Sequence, residues 1–151
     1  MSAPIMMAKD ITGDEPSRIL VEVEDFREIW RDQGGTGDMD VALWKPQCPE
    51  GYVALADLAY ACTRFCGWPK PDWYKSMMKC VRRDFVEECY TSIEPVWTNY
   101  GGFERASGSV WRIEAINGIR NTGFWLGNQG HRVPPNGGRA YCLKQFEEID
   151  D

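Results

Sequence analysis

Histidine is nearly missing from this chain: His131 is the only one in 151 residues. A zinc site or an imidazole-based proton relay therefore has almost nothing to draw on. Cys-x-x-Cys pairs are missing as well, the nearest cysteines being Cys62 and Cys66. No metal ion and no cofactor is expected. There is no phosphate loop, no dinucleotide fingerprint and no Gly-x-Ser-x-Gly elbow. The carboxylates are scattered or fall in runs such as Glu87-Glu88 and Glu147-Glu148, which read as solvated faces or arms. A lone histidine without a nucleophile reads as structural. A paired-carboxylate glycosidase, whose groups meet only in space, is the one enzyme class left open, and the expectation is that the protein is not an enzyme.

Positive charge is also in short supply. Seventeen Lys and Arg face 23 Asp and Glu, a formal charge of -6. Such a domain is repelled by polyphosphate, so no nucleic acid is expected as partner. Arg82-Arg83 and the stretch from Arg105 to Arg112 are local exceptions, read as solvated strand ends. No apolar run approaches the eighteen residues of a membrane span, and residues 1–18 lack the apolar segment of a secretory signal. The expected location is the cytoplasm, at most peripheral to membranes, the alternative being a mature chain from which a signal has been removed. Six cysteines, at 48, 62, 66, 80, 89 and 142, leave two alternatives. They form three disulfides in an oxidising compartment, with fifteen possible pairings, or they are buried free thiols. The signal-free reading favours free thiols.

What is present points to strands. Fifteen glycines, nine prolines, seven tryptophans and a 13% aromatic share suit short strands joined by tight turns. The length fits one domain with a core of its own. An internal repeat is visible. Ile29-Trp30 followed by Gly34-Gly35 matches Val96-Trp97 followed by Gly101-Gly102, Leu43-Trp44-Lys45 matches Val110-Trp111-Arg112, and Gly51-Tyr52 matches Gly118-Ile119. Each pair is offset by 67 residues (97 − 30, 111 − 44, 118 − 51). The copies cover about 26–89 and 93–148 within one domain, 19–148. Residues 1–18 form an acidic arm, disordered or loosely attached.

In each copy the segment around Trp30 or Trp97 is expected to be a strand. Met39 to Trp44 and Ser109 to Ile113 alternate as half-buried strands do. Gly51 to Leu58 and Gly118 to Leu126 form a third strand, and the residues around Cys80 and Cys142 form the last. The prolines, Pro46 included, are expected between strands. Trp30, Trp44, Trp97 and Trp111 occupy matching positions and are expected in the core.

Candidate ligand groups lie in Gly-rich turns and in one aromatic loop. Gly34 and Gly35 would let a ligand approach the backbone, beside Asp38. Asn128 and Gln129, in the Gly127 to His131 turn, offer the hydrogen-bonding groups a sugar hydroxyl needs. Trp68, Trp73 and Tyr74 belong to a stretch, Ala59 to Ser76, that is longer than its counterpart in the second copy. That stretch is a structured insertion or an exposed loop. Its rings are placed to stack on a sugar or dip into a membrane interface, or else to seal one end of the fold.

Phe26-Arg27-Glu28-Ile29-Trp30-Arg31-Asp32-Gln33-Gly34-Gly35, Asp40-Val41-Ala42-Leu43-Trp44-Lys45-Pro46 and Pro49-Glu50-Gly51-Tyr52-Val53-Ala54-Leu55-Ala56-Asp57 resemble the signature of the vacuolar protein sorting-associated 62 family. Similar segments occur in vacuolar-sorting-thirteen-type lipid-transfer proteins. The resemblance runs over about residues 20–146. It implies an all-β, β-prism-like, internally duplicated fold of three small antiparallel sheets around a pseudo-threefold axis. Related modules are lectins, membrane-associated adaptor domains and targeting domains of pore-forming proteins. The resemblance leaves function open; the reading taken is a non-catalytic recognition domain for glycans or membrane surfaces, with contacts in the Gly-rich loops and the Trp68 to Tyr74 loop. The alternatives are a protein-interaction or vesicle-trafficking adaptor and a targeting module of a pore-forming system. Ala56 departs from the usual Gly, and the Ala59 to Ser76 stretch is unusual for the family. The sequence does not fix an oligomeric state.

Overall fold

Alternation of apolar and polar residues with frequent Gly and Pro leaves the backbone short extended runs to pair, and it pairs them antiparallel throughout. The computed structural model describes residues 18–32, 38–63, 66–99, 107–114, 121–132, 134 and 138–144. The acidic arm before residue 18, the tail after 144, Gly34 and Gly35 lie outside the described residues.

Among the described residues eleven strands run in the order β1 (Leu20–Glu22), β2 (Asp25–Arg31), β3 (Met39–Gln47), β4 (Tyr52–Ala54), β5 (Leu58–Thr63), β6 (Lys79–Arg82), β7 (Val86–Thr91), β8 (Trp97–Thr98), β9 (Gly108–Glu114), β10 (Asn121–Gln129) and β11 (Arg139–Leu143). Two single 3-10 turns lie at Asp72–Lys75 and Arg83–Phe85. The strands make three small antiparallel sheets, β1-β6-β4, β2-β3-β5 and β10-β9-β7-β11, with β8 added beside β9. The fold is all-β, as expected.

The pairing follows the sequence offset. Trp30 lies opposite Leu43 across β2 and β3, and Trp97 lies opposite Val110 across β8 and β9. The two pairs are again 67 residues apart. Trp44 sits opposite Leu58, and Trp111 opposite Leu126, an offset of 68 on the third strand (126 − 58). Thus β2-β3-β5 and β8-β9-β10 match strand for strand with one residue added. Trp44 and Trp111 differ in one respect. The Trp111 indole N–H donates to Ser109 Oγ at 2.8 Å. At the position 67 residues earlier stands Ala42, and the buried Trp44 Nε1 has no partner among the described residues.

Four expectations need correction. The single strand read over Gly51 to Leu58 is two strands, β4 and β5, in different sheets, because the chain turns at Leu55 to Asp57. Pro46 lies inside β3 rather than between strands, opposite Phe26. The ladder tolerates it because β5 pairs β3 only between Met39 and Trp44, so nothing needs the Pro46 nitrogen on that side. Trp30, Trp44 and Trp111 are buried, but Trp97 is 43% exposed. It stands on a two-residue edge strand and meets the Trp30 ring edge-on at 5.6 Å.

The fourth correction is the free-thiol reading. All six cysteines pair, as Cys48–Cys80, Cys62–Cys66 and Cys89–Cys142, with Cα separations of 5.8, 6.1 and 5.8 Å. Residues far apart in sequence are brought within bridging distance by strand pairing. Cys89 lies opposite Ala140 on β11, two residues from Cys142. Cys48, just past β3, reaches Cys80 in the neighbouring sheet.

The core has three clusters. One contains Val23, Phe26, Ala42, Trp44 and Cys80, covered by Leu58, Tyr60, Trp68, Tyr74 and Met78. A second holds Cys89, Ile113, Ala140 and Cys142, and a third Val53, Val81 and Val86. Of the Ala59 to Ser76 stretch, the part up to Thr63 belongs to β5, and Trp68 and Tyr74 from the part after it cover one face of β2-β3-β5. On the opposite face that sheet meets the third sheet across glycine. Gly108 lies against the Trp30 ring and Gly127 against Leu43, each so close that a Cβ there would sit within 3 Å of them.

Candidate functional site

A cleft of about 640 Å³ opens where the three sheets converge. β2 and β3 give it Arg27, Glu28, Lys45 and Gln47, β4 and the turn after it give Tyr52 and Asp57, and β10 and β11 give Asn128, Gln129, Arg139 and Tyr141. Apolar floor comes from Pro46, Val53, Leu55 and Leu126. Amides and charges at the rim of an apolar, concave surface with two tyrosines are the usual makings of a small-ligand site.

Asp57 organises this junction. Its side chain is 2% exposed. Oδ1 accepts from Lys45 Nζ at 3.1 Å, and Oδ2 accepts from the Gly127 backbone N–H at 2.9 Å. Its own N–H donates to the Trp125 carbonyl at 3.1 Å. One residue thereby ties the turn between β4 and β5 to β3 and to β10. Burial raises the Asp57 carboxyl above the usual aspartate range, while Lys45, the Gly127 N–H and Arg27 act to lower it.

That direction fixes a pH dependence. Between the ordinary aspartate value and its raised folded value, the native state holds more protons than the unfolded chain. Asp57 thus contributes most stability at low pH and loses it as pH rises through the folded value. In Asp57→Asn this slope is removed. Melting curves from about pH 4 to about pH 7 should show the wild type losing ground to the variant as pH rises. A wild type that gains on Asp57→Asn over that range would mean the charged form is the favoured one.

The described sequence-derived candidates stand in three places. Asn128 and Gln129 line the cleft, though on strand β10 rather than in a turn. They pair with Ser109 and Gly108, so the Gly127 to His131 run continues the ladder before it turns. Asn128 Nδ2 donates to the Arg132 carbonyl at 2.9 Å, and Gln129 is exposed. His131 Nε2 bonds Asn99 Oδ1 at 2.8 Å, and the same oxygen accepts from the Gly108 N–H. Asp38 is exposed beside the start of β3, at the far end from the cleft.

Trp68, Trp73 and Tyr74 form no part of the cleft. Trp68 is half-buried, with its Nε1–H donating to Asp32 Oδ1 at 3.3 Å and the Arg31 guanidinium 4.9 Å above its ring. Its backbone is left-handed, φ 47, a strained state for a bulky residue that these contacts hold in place. Trp73 differs, being 49% exposed on the 3-10 turn that starts after the buried Pro71. Tyr60 meets it edge-on at 5.1 Å and Tyr74 lies at 5.7 Å. Met77 beside it is 70% exposed. Lys70 bonds Asp25 at 3.0 Å and Lys75 bonds Asp72 at 3.2 Å, so the charges about this patch balance.

The sequence reading missed Arg27, Lys45, Tyr52, Asp57, Arg139 and Tyr141 as a group. They stand on five different segments, and no periodicity joins them. The one available signal was Asp57, a charge two places after the apolar Leu55 in a strand-like run.

Among the described residues no group of His, Cys, Asp and Glu is placed to hold a metal ion, and no helix is long and apolar enough to cross a membrane. No curated protein matches the chain. The crystal structure of GNIP1Aa from Chromobacterium piscinae is similar to it, with 26% sequence identity and a TM-score of 0.59. The match covers 80% of this chain and 22% of that one, so the chain spans about a fifth of that protein's length. The family model for vacuolar protein sorting-associated protein 62 matches residues 1–147. With that match taking in every strand and the whole cleft, the chain belongs to the Vps62 family.

Proposed function

We propose that this protein is a non-catalytic recognition module, duplicated internally and β-prism-like in the arrangement of its sheets, that takes a glycan in the cleft between them. The observation that carries this reading is the cleft itself, where Asn128, Gln129, Tyr52 and Tyr141 surround an apolar floor. Amide groups bond sugar hydroxyls in the plane of the ring, while tyrosine and proline surfaces cover its apolar faces. The duplication is supported by the common 67-residue offset of the Trp30–Leu43 and Trp97–Val110 pairs. A match to only 22% of GNIP1Aa is what a recognition module carried within larger proteins would give. The three disulfides favour an oxidising compartment over the cytoplasmic location expected from sequence.

The test is a glycan array followed by calorimetric titration of the hits. Gln129→Ala should weaken a true cleft ligand about tenfold, the loss of one or two hydrogen bonds. Hits whose affinity is unchanged in Gln129→Ala and Asn128→Ala would move recognition out of the cleft, and an array without hits would sink the reading.

A second reading, contact with a membrane surface, rests on Trp73 and Met77. Their exposure on a charge-balanced patch suits an uncharged interface better than a charged partner. Liposome co-sedimentation that is unaffected by Trp73→Ala would remove it.

A further inference from the structure

We infer that the ligand of the cleft is acidic, a saccharide carrying a carboxylate or phosphate held by Arg27 and Arg139. The inference rests on the glycan reading above and names the ligand class.

The charge inventory of the cleft is the starting point. Arg27, Lys45 and Arg139 line it, against Glu28 and Asp57. Both carboxylates are already engaged. Glu28 is gripped by Arg31 through both oxygens, with Nη2 to Oε2 at 2.6 Å. Asp57 takes Lys45 and a backbone N–H. Arg27 also acts on Asp57, but that single carboxylate already bonds Lys45, so the three basic groups of the cleft outnumber its two engaged carboxylates. Arg139 has one pairing, at the long distance of 4.0 Å, to Glu88, and both partners are more than half exposed. Such a pair is weak and readily given up.

The placement also matters. Arg27 stands on β2 of one sheet and Arg139 on β11 of another, so an anion between them would be held from two sides. Arg27 lies opposite Lys45 in the β2–β3 ladder, and with Phe26 buried on the insertion-covered face the alternation of the strand turns Arg27 to the cleft side. Guanidinium is the side chain best shaped for a carboxylate or phosphate, giving two parallel N–H bonds in one plane. Positive excess here runs against the whole-chain charge of -6. It is therefore a local property of the cleft rather than a reflection of composition. Asn128 and Gln129 then serve the hydroxyls of the same molecule, while Tyr52 and Tyr141, whose hydroxyls bond the Arg18 carbonyl and the Arg83 guanidinium, offer it their rings.

The test uses the full chain and three soluble probes, glucuronic acid, glucose 6-phosphate and glucose, in nuclear magnetic resonance titrations. The acidic sugars should bind at least about tenfold more tightly than glucose, with an affinity that falls as salt is raised. The double variant Arg27→Gln/Arg139→Gln should bring them to the level of glucose. Both positions are exposed, so the fold should survive, and an unchanged amide spectrum away from the cleft checks this. A parallel arm measures binding to phosphatidylcholine vesicles with and without phosphatidylinositol 4-phosphate. Saturable, arginine-dependent binding in either arm sustains the inference and identifies the source as free sugar acid or lipid headgroup. Equal binding of glucose and glucuronic acid, unaffected by the arginine variants, overturns the charge selection and leaves the glycan reading standing. Binding of no sugar and no vesicle overturns both.

Discussion

Replacing Cys89 and Cys142 together by alanine is expected to lower the unfolding free energy by about 4 kcal/mol, from the loop-closure entropy that a bridge spanning 53 residues removes from the unfolded chain. The same relation gives about 3.7 kcal/mol for Cys48–Cys80, which spans 32 residues, and about 2 kcal/mol for Cys62–Cys66, which spans four. For a domain of this size the first loss corresponds to a fall in Tm of roughly 8–16 °C. The expected order is therefore set by sequence separation. Calorimetric melts of the three double-alanine variants measure it. A Cys62/Cys66 variant that is the least stable of the three would show that this short bridge acts through the native state, by holding the loop leading to Trp68, and not through the unfolded chain. Because net stabilities are about 5–15 kcal/mol, the Cys89/Cys142 variant should also be the one that fails to fold first as temperature rises.

Gly108→Ala is expected to cost about 3 kcal/mol, at the upper end of overpacking changes. A Cβ on Gly108 would stand 2.6 Å from two ring atoms of Trp30. The ring is rigid, 4% exposed, and backed by Trp97, so it has nowhere to retreat. Gly127→Ala is the milder companion, because the atom it meets first, at 2.9 Å, is a methyl of Leu43, which can change rotamer. The check is a double-mutant cycle by chemical denaturation. In a Trp30→Leu background most of the Gly108→Ala cost should vanish, since the smaller side chain vacates the contact. A cost that persists in full would locate the strain elsewhere in β9.

Part of this molecule was legible before any coordinates. Trp30, Trp44, Trp97 and Trp111 with their flanking apolar residues announced strands, and their common offset announced which strands correspond. Those are local signals: alternation reports which face of a strand is dry, and repetition reports that two segments solve the same packing problem. Asn128 and Gln129 were found for a related reason, since small polar residues beside glycine mark places where backbone is approachable.

The rest was settled by contacts between residues far apart in the chain. Fifteen pairings of six cysteines are equivalent on paper, and strand register selected one of them by bringing Cys89 and Cys142 to 5.8 Å. Trp97 carries the same local pattern as Trp30, yet it is exposed because its strand is two residues long and lies at an edge. Trp68 and Trp73 stand in one aromatic run, and only the packing of the insertion on Phe26, Ala42 and Trp44 turns the first inward and leaves the second out. Asp57 reads in sequence as one more acidic residue. It becomes the tie between sheets because Lys45, twelve positions earlier, and Gly127, seventy later, converge on it. Sequence thus determined the strand content and its repeat, which depend on neighbours a few residues away. Tertiary structure decided the cleft, the disulfides and the exposed aromatic face, because each is made of groups whose only relation is that the sheets bring them together.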